Sequence, residues 1–151
     1  MHLNIVLIEP QIPNNTGNIG RLCVATQCHL HLVKPMGFEI TDSRVKRAGL
    51  DYWPDLELTM YDSFEEWYSQ VTNPNRVFFF SARATTSLYS LEFQEGDWLV
   101  FGKEADGLGP ELLSRFEDQC LTIPFPGKVR SFNLANSVAM VLGETMRQSQ
   151  I

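Results

Sequence analysis

At 151 residues, 44% of them hydrophobic, the chain has the size and composition of a single soluble globular domain with a full core. Its formal net charge of -6 excludes general affinity for nucleic acid, although the charge is unevenly spread: residues 1–50 balance at +2, residues 51–118 at -10 and residues 119–151 at +2. The opening M-H-L-N-I-V-L-I-E-P is too short and insufficiently basic for a signal peptide or membrane span, and three cysteines without C-x-x-C spacing indicate buried thiols in a reducing cytoplasm.

Asn4 to Ile8 reads as a buried strand that opens into a loop punctuated by Pro10 and Pro13. A helical pattern follows, with Ile19, Leu22 and Cys23 inward, and His29 to Val33 forms the second strand. His29 and His31 share a strand face, but no third ligand accompanies them, so no metal is expected. Asp42 or Ser43 can cap a short helix carrying Arg44, Lys46 and Arg47, which Gly49 ends. Leu56 to Tyr61 is a third strand, and Ser63 with Glu66 makes a capping box for a helix running through Val71. Arg76 to Ser81 and Trp98 to Phe101 are further strands, and Pro110 starts a helix from Glu111 to Phe116.

The tail begins as an apolar strand, Cys120 to Ile123, stopped by Pro124. Ser131 stands where a helix cap is needed, and Leu134, Val138, Leu142 and Met146 form one apolar ridge. Ala135, Ala139 and Gly143 make a second stripe of small residues. The loop before this helix combines Pro, Gly, Ser and Asn and can present backbone N–H groups to a ligand. Alternating strands and helices without repeats or linkers indicate an α/β fold around a mainly parallel sheet, in which ligands bind at the strands' carboxyl ends. Three loops leave such ends: Pro10–Arg21, Gly102–Leu108 and Pro124–Asn133.

The middle loop, F-G-K-E-A-D-G-L, is no P-loop, because Gly-Lys is not followed by Ser or Thr, and the first loop lacks G-x-G-x-x-G. Gly102 permits close approach of a ligand, Gly107 can adopt positive φ, and Glu104 can accept hydrogen bonds. No Ser-His-Asp or Cys-His arrangement stands out. Each loop alone is compatible with a plain turn.

Together the loops are far more specific. P-x-N-x-G-N-x-x-R (Pro13 to Arg21), F-G-x-E-x-x-G-L (Phe101 to Leu108) and I-P-x-x-x-x-x-x-S-F-N-L-x-N-S (Ile123 to Ser137) occur in order, with R-A-G-L-D-Y (Arg47 to Tyr52) between the first two. This set resembles the signature motifs of the SPOUT RNA 2′-O-methyltransferases, most closely the small TrmL (YibK-like) group that modifies the tRNA wobble nucleotide. The resemblance implies a single domain with a deep trefoil knot within approximately residues 76–151, S-adenosylmethionine as cofactor, no metal, a homodimer, and the tRNA anticodon stem-loop as partner. It also implies a cofactor pocket built from Phe80, Gly102, Glu104, Gly107, Ile123, Pro124, Ser131 and Asn133. Arg21 is implied as the catalytic and RNA-facing arginine, assisted by Ser131 and Asn133, with Asn15, Asn18, Arg44, Lys46, Arg47, Lys128 and Arg130 also facing the substrate. Ala105-Asp106 and the Phe132 of Ser-Phe-Asn depart from the commoner motif residues. Methylation of another RNA position, and a non-catalytic α/β module binding RNA or a nucleoside-containing ligand, remain as alternatives.

Overall fold

The computed structural model describes residues 1–41, 43–49 and 51–150, without the side chains of Lys46 and Gly49. Six strands, β1 (Asn4–Ile8), β2 (His29–Val33), β3 (Leu58–Tyr61), β4 (Val77–Phe80), β5 (Trp98–Phe101) and β6 (Cys120–Leu121), form one sheet in the order β3-β2-β1-β5-β4-β6. Every pairing is parallel, so all the carboxyl ends lie on one rim. Among the described residues four α-helices lie between strands, α1 (Pro13–Thr26), α2 (Ser43–Gly49), α3 (Phe64–Ser69) and α4 (Pro110–Arg115), and a fifth, α5 (Leu134–Ser149), follows β6.

The period-two alternation of each strand feeds two cores. Ile5, Leu7, Leu99 and Phe101 face the side covered by α1 and α5, where Ile19, Val138 and Leu142 meet them. Val6, Ile8, Phe79 and Val100 face the other side, against Trp67 of α3 and Phe116 after α4. Phe79 stacks on Phe116 at 4.3 Å and Phe80 on Phe101 at 4.9 Å between ring centroids. At the sheet's amino end, fully buried Asp97 is held by Arg76 through Nε at 2.8 Å and Nη2 at 2.7 Å, and by the N–H of Gln94.

The chain builds outward from β1 to β2 and β3, then crosses to build β4, β5 and β6 on the opposite flank. The strand order therefore switches between β1 and β5, where the loops leaving these two neighbours open a crevice. On the far flank, Ser81 donates to the Leu121 carbonyl at 2.9 Å, while Thr86 accepts from the Thr122 N–H and Leu88 donates to the Thr122 carbonyl, both at 2.8 Å. The continuous stretch Ser81–Leu88 thus bonds Leu121–Thr122 along both edges before the chain continues to α5, the pairing expected where a C-terminal trefoil knot closes.

Several boundaries differ from the sequence reading. α1 begins at Pro13, so most of the stretch read as loop is helix: proline at N1 has a preset φ and lacks only a donor that the first turn would leave unpaired. Gly17 within it lets α2 approach, because an added Cβ would lie 2.5 Å from Ala48 Cβ. β3 starts at Leu58, since Leu56 closes a 3₁₀ turn from Trp53 to Asp55. α3 stops at Ser69, short of Val71, and Glu66 of the capping box reaches the N–H of Asp62 instead of Ser63, while Ser63 Oγ accepts from Glu66 N as expected. β6 is two residues long, extended by a bridge from Thr122 to Ser87.

α5 is capped by Asn133, whose Oδ1 accepts from Asn136 N at 3.2 Å, and Ser131 remains in the loop. Leu134, Val138 and Leu142 are buried, but Met146 is 39% exposed. Steps of four residues drift about 40° around a helix, so by the third step the ridge has left the core and Val141 and Thr145 occupy it. Of the small-residue stripe, Ala135 is buried in the core of this chain, whereas Ala139 and Gly143 are exposed. Asp42, proposed as a cap, lies outside the described residues.

Candidate functional site

The crevice between β1 and β5 is closed by one carboxylate. Glu104, in the loop after β5, accepts from the backbone N–H of Gln11 at 2.7 Å and of Ile12 at 2.8 Å, in the loop after β1. Asn15 Nδ2 donates to the same carboxylate at 3.3 Å. α1 lacks a side-chain cap of its own at Ile12. Glu104 therefore sits as an external anionic cap at the positive end of a 14-residue helix, a favourable placement. Gln11 answers by accepting from the N–H of Ala105 at 2.9 Å, and this residue was not anticipated from sequence. Its only sequence signal is an amide in a strand-to-helix loop.

The third loop joins through Asn133. Its Nδ2 donates to Asn15 Oδ1 at 3.1 Å while its Oδ1 caps α5. Because Asn15 Nδ2 is turned to Glu104, its oxygen is turned to Asn133, and the orientations of both amides follow from the carboxylate. Arg130 Nη2 also reaches the Ala105 carbonyl at 3.4 Å. All three motifs thus meet at the switch point.

The middle loop is a tight hairpin: Lys103 and Gly107 exchange backbone hydrogen bonds of 3.2 and 2.9 Å, and Gly107 has φ +66° as anticipated. Gly102 also serves the hairpin itself. A Cβ there would lie 2.1 Å from the Gly107 carbonyl carbon and 2.3 Å from Leu108 N, so the close approach Gly102 permits is that of its own loop. Phe80 is buried beneath this hairpin against Phe101. Beside it, Ile123 is buried, and Pro124 and Ser131 are exposed. Among the described residues no backbone group of residues 123–132 has a hydrogen-bond partner, nor does the Ser131 hydroxyl. This loop offers a run of free donors and acceptors.

Arg21 stands apart. Six residues after Asn15, it is about 9 Å further along α1 and on another face, with its guanidinium 4.6 Å from the centre of the Tyr52 ring. Among the described residues it makes no hydrogen bond to the Glu104–Asn15–Asn133 junction. Asn18, Arg44 and Arg47 are exposed on the same α1–α2 side, the Lys46 side chain lies outside the described residues, and Lys128 and Arg130 are exposed on the loop before α5. The cations therefore form two patches. Among the described residues no group of three or more His, Cys, Asp or Glu is placed to hold a metal ion, and no helix is long and apolar enough to cross a membrane.

Residues 2–143 match the SpoU rRNA Methylase family. The chain is 43% identical over 148 residues to the tRNA (cytidine(34)-2′-O)-methyltransferase of Burkholderia cenocepacia (strain HI2424), spanning 97% of this chain and 95% of that protein. A solved structure concerned with 2-OH methylation of C/U34 on tRNA superposes with a TM-score of 0.93 at 46% identity, covering 99% of this chain and 97% of the other. The SpoU methyltransferase AviRb of Streptomyces viridochromogenes, solved with AdoMet, shares the fold with a TM-score of 0.88 at 21% identity, over 99% of this chain and 58% of that one.

Proposed function

This chain belongs to the SpoU rRNA methylase family, and on that premise we propose that it transfers a methyl group from S-adenosylmethionine to the ribose 2′-hydroxyl of the wobble cytidine or uridine in the tRNA anticodon stem-loop. The observation that carries the reading is the junction of the three motif loops through Glu104, Asn15 and Asn133 at the switch point of a parallel sheet.

The unbonded backbone of residues 123–132, beside the Gly102–Gly107 hairpin, fits an adenosine-bearing ligand that needs several hydrogen-bonding groups and an apolar wall. Gly102, Gly107, Ile123, Pro124 and Ser131 would hold it, with Phe80 buried below. When bound, S-adenosylmethionine supplies an electrophilic methyl on a sulfonium. Glu104 and Asn133, whose polar atoms are bonded within the protein, serve by holding the loops in register. Alignment of donor and acceptor can lower the barrier by roughly 7–11 kcal/mol. Ser131 Oγ is free to hydrogen-bond the ribose hydroxyl. Arg21 would orient the adjacent phosphate and stabilise the oxyanion that develops as the ribose hydroxyl passes its proton to solvent water, the new O–methyl bond replacing the S–methyl bond with the thioether as leaving group, its guanidinium remaining charged.

Because Arg21 does not reach the junction of its own chain, it serves the pocket of a second copy. The exposed small residues Ala139 and Gly143, flanked by exposed Met140 and Met146, give α5 a face on which a two-fold partner can pack closely. Transfer of labelled methyl from S-adenosylmethionine to total tRNA, followed by mapping of the modified nucleotide, tests the reading. Label at a position other than the anticodon wobble nucleotide, or none, rejects it.

A further inference from the structure

Among the described residues five of the twelve Lys and Arg are paired with a carboxylate: Lys34 with Asp62, Arg76 with Asp97, Lys103 with Glu9, Arg115 with Glu65 and Arg147 with Glu144. With 18 Asp and Glu against 12 Lys and Arg, carboxylates are in excess. Arg83 nonetheless has none. It is exposed, and its guanidinium makes neither an ion pair nor a hydrogen bond among the described residues. Its backbone is nevertheless fixed, because Ser81 Oγ accepts from Arg83 N at 3.1 Å and the Ser81 carbonyl accepts from Ala84 N at 3.2 Å.

Beside Arg83 opens a cavity of about 380 Å³, also lined by Thr85, Thr86, Ser114 and Glu117, with buried Cys120 as its floor. That volume is at the lower end of small-ligand pockets, about 300–1,000 Å³, and accommodates one nucleotide but no duplex. Among the described residues neither the three hydroxyls nor the Glu117 carboxylate has a hydrogen-bond partner, in contrast to the fully engaged Glu104. Cys120 belongs to the core on the α3–α4 side of the sheet, whereas Ile123 and Leu134 belong to the α1–α5 side. The cavity is therefore separate from the loop before α5, although Arg83 stands on the same carboxyl-end rim.

We propose that this cavity is a second nucleotide pocket, which receives one unstacked nucleotide flanking the methylated one. Its phosphate lies on Arg83, and an exocyclic amino group of its base, as in cytosine, adenine or guanine, donates to Glu117. This rests on RNA being the substrate. Proteins read single-stranded RNA by splaying bases out and bonding their edges. A carboxylate accepts from an amino group, as from cytosine N4, and faces a second acceptor when uracil is offered. The hydroxyls of Thr85, Thr86 and Ser114 complete the donor set for phosphate and ribose.

The test measures methyl transfer to anticodon stem-loop RNAs in which each nucleotide flanking the target is varied between C and U. Arg83→Gln should raise KM for RNA about tenfold, the scale of one charge-assisted contact, and reduce the log–log salt slope by about 0.7. Its kcat and S-adenosylmethionine affinity should be unchanged, and Arg83→Lys should recover most of the loss. One flanking position should disfavour U, and Glu117→Gln should remove that preference, since an amide both donates and accepts. Wild-type KM and salt slope in Arg83→Gln overturn the pocket while the proposed function stands. Weakened S-adenosylmethionine binding in that variant assigns the cavity to the cofactor site and overturns the proposal as well. Equal rates for C and U at every flanking position overturn the base contact. Absence of methyl transfer by the wild-type protein rejects the function and this inference together.

Discussion

Asn133 donates to Asn15 Oδ1 across 3.1 Å although 118 residues separate them, and this bond exists only because Glu104 turns the Asn15 amide. Glu104→Ala removes a charged acceptor from two backbone donors and the Asn15 amide at once. A charge-assisted hydrogen bond contributes about 1.5–3 kcal/mol, so stability should fall by at least that much in urea unfolding. S-adenosylmethionine affinity should fall with it as the loops lose register. Unchanged unfolding midpoint and calorimetric affinity would remove Glu104 from its positioning role.

The strands were legible in the sequence because a parallel sheet covered on both faces needs uninterrupted apolar runs such as Val77–Phe80, all four residues of which are buried. The first motif was read as loop because Pro10 and Pro13 both serve as punctuation, and proline marks a turn as readily as the first position of a helix, which is where Pro13 stands. Ser131 and Asn133 are both good caps by type; the choice falls to Asn133, whose second amide group is held by Asn15 from another element. The knot has no periodic signature, since its diagnostic bonds join Ser81, Thr86 and Leu88 to residues about 35–40 positions away. It entered the sequence reading only through family resemblance.

Gly102→Ala should be structurally costly. The new Cβ meets backbone atoms of Gly107 and Leu108 at 2.1–2.4 Å, which cannot yield as a flexible side chain would. Overpacking of this kind typically costs about 1–3 kcal/mol. Thermal unfolding should show the loss, whereas Gly143→Ala, inside α5 with open space around the added carbon, should stabilise the isolated fold by about 0.5–1 kcal/mol. Equal stability of the two variants would contradict the close packing of the hairpin.

Acid should weaken the fold through His31. Its ring lies between Asn4 Oδ1 at 3.0 Å and Tyr61 OH at 2.9 Å and stacks on His29 at 3.9 Å. Burial, and secondarily the charges of His29 and His2, lower its pKa from 6.5 to about 3. Below pH 6.5 the unfolded chain therefore binds a proton that the folded chain refuses, and stability falls as pH drops towards about 3. The slope from this one group reaches at most about 1.4 kcal/mol per pH unit. His29, also lowered chiefly by burial, acts in the same direction. Urea titrations between pH 7 and 4 should show wild type losing stability relative to His31→Gln; parallel curves would rule the linkage out.

The shared-site dimer makes a quantitative prediction. Arg21 stacks on Tyr52, away from the junction that holds Asn133, and in the proposed dimer a complete site would draw the two residues from different chains. Arg21→Ala would remove the proposed phosphate-orienting group. Asn133→Ala removes the α5 cap, at a cost of about 1 kcal/mol, and the bond to Asn15. Each variant alone should be nearly inactive while still binding its partner. When the two are mixed under conditions of subunit exchange, about half the dimers are heterodimers, each with one intact and one doubly defective site, and activity should recover to roughly a quarter of wild type. If both residues came from the same chain, no mixed dimer would contain an intact site and activity would stay at background. Light scattering at the assay concentration provides the independent check, since a fully active monomer is incompatible with an arginine contributed by a second copy.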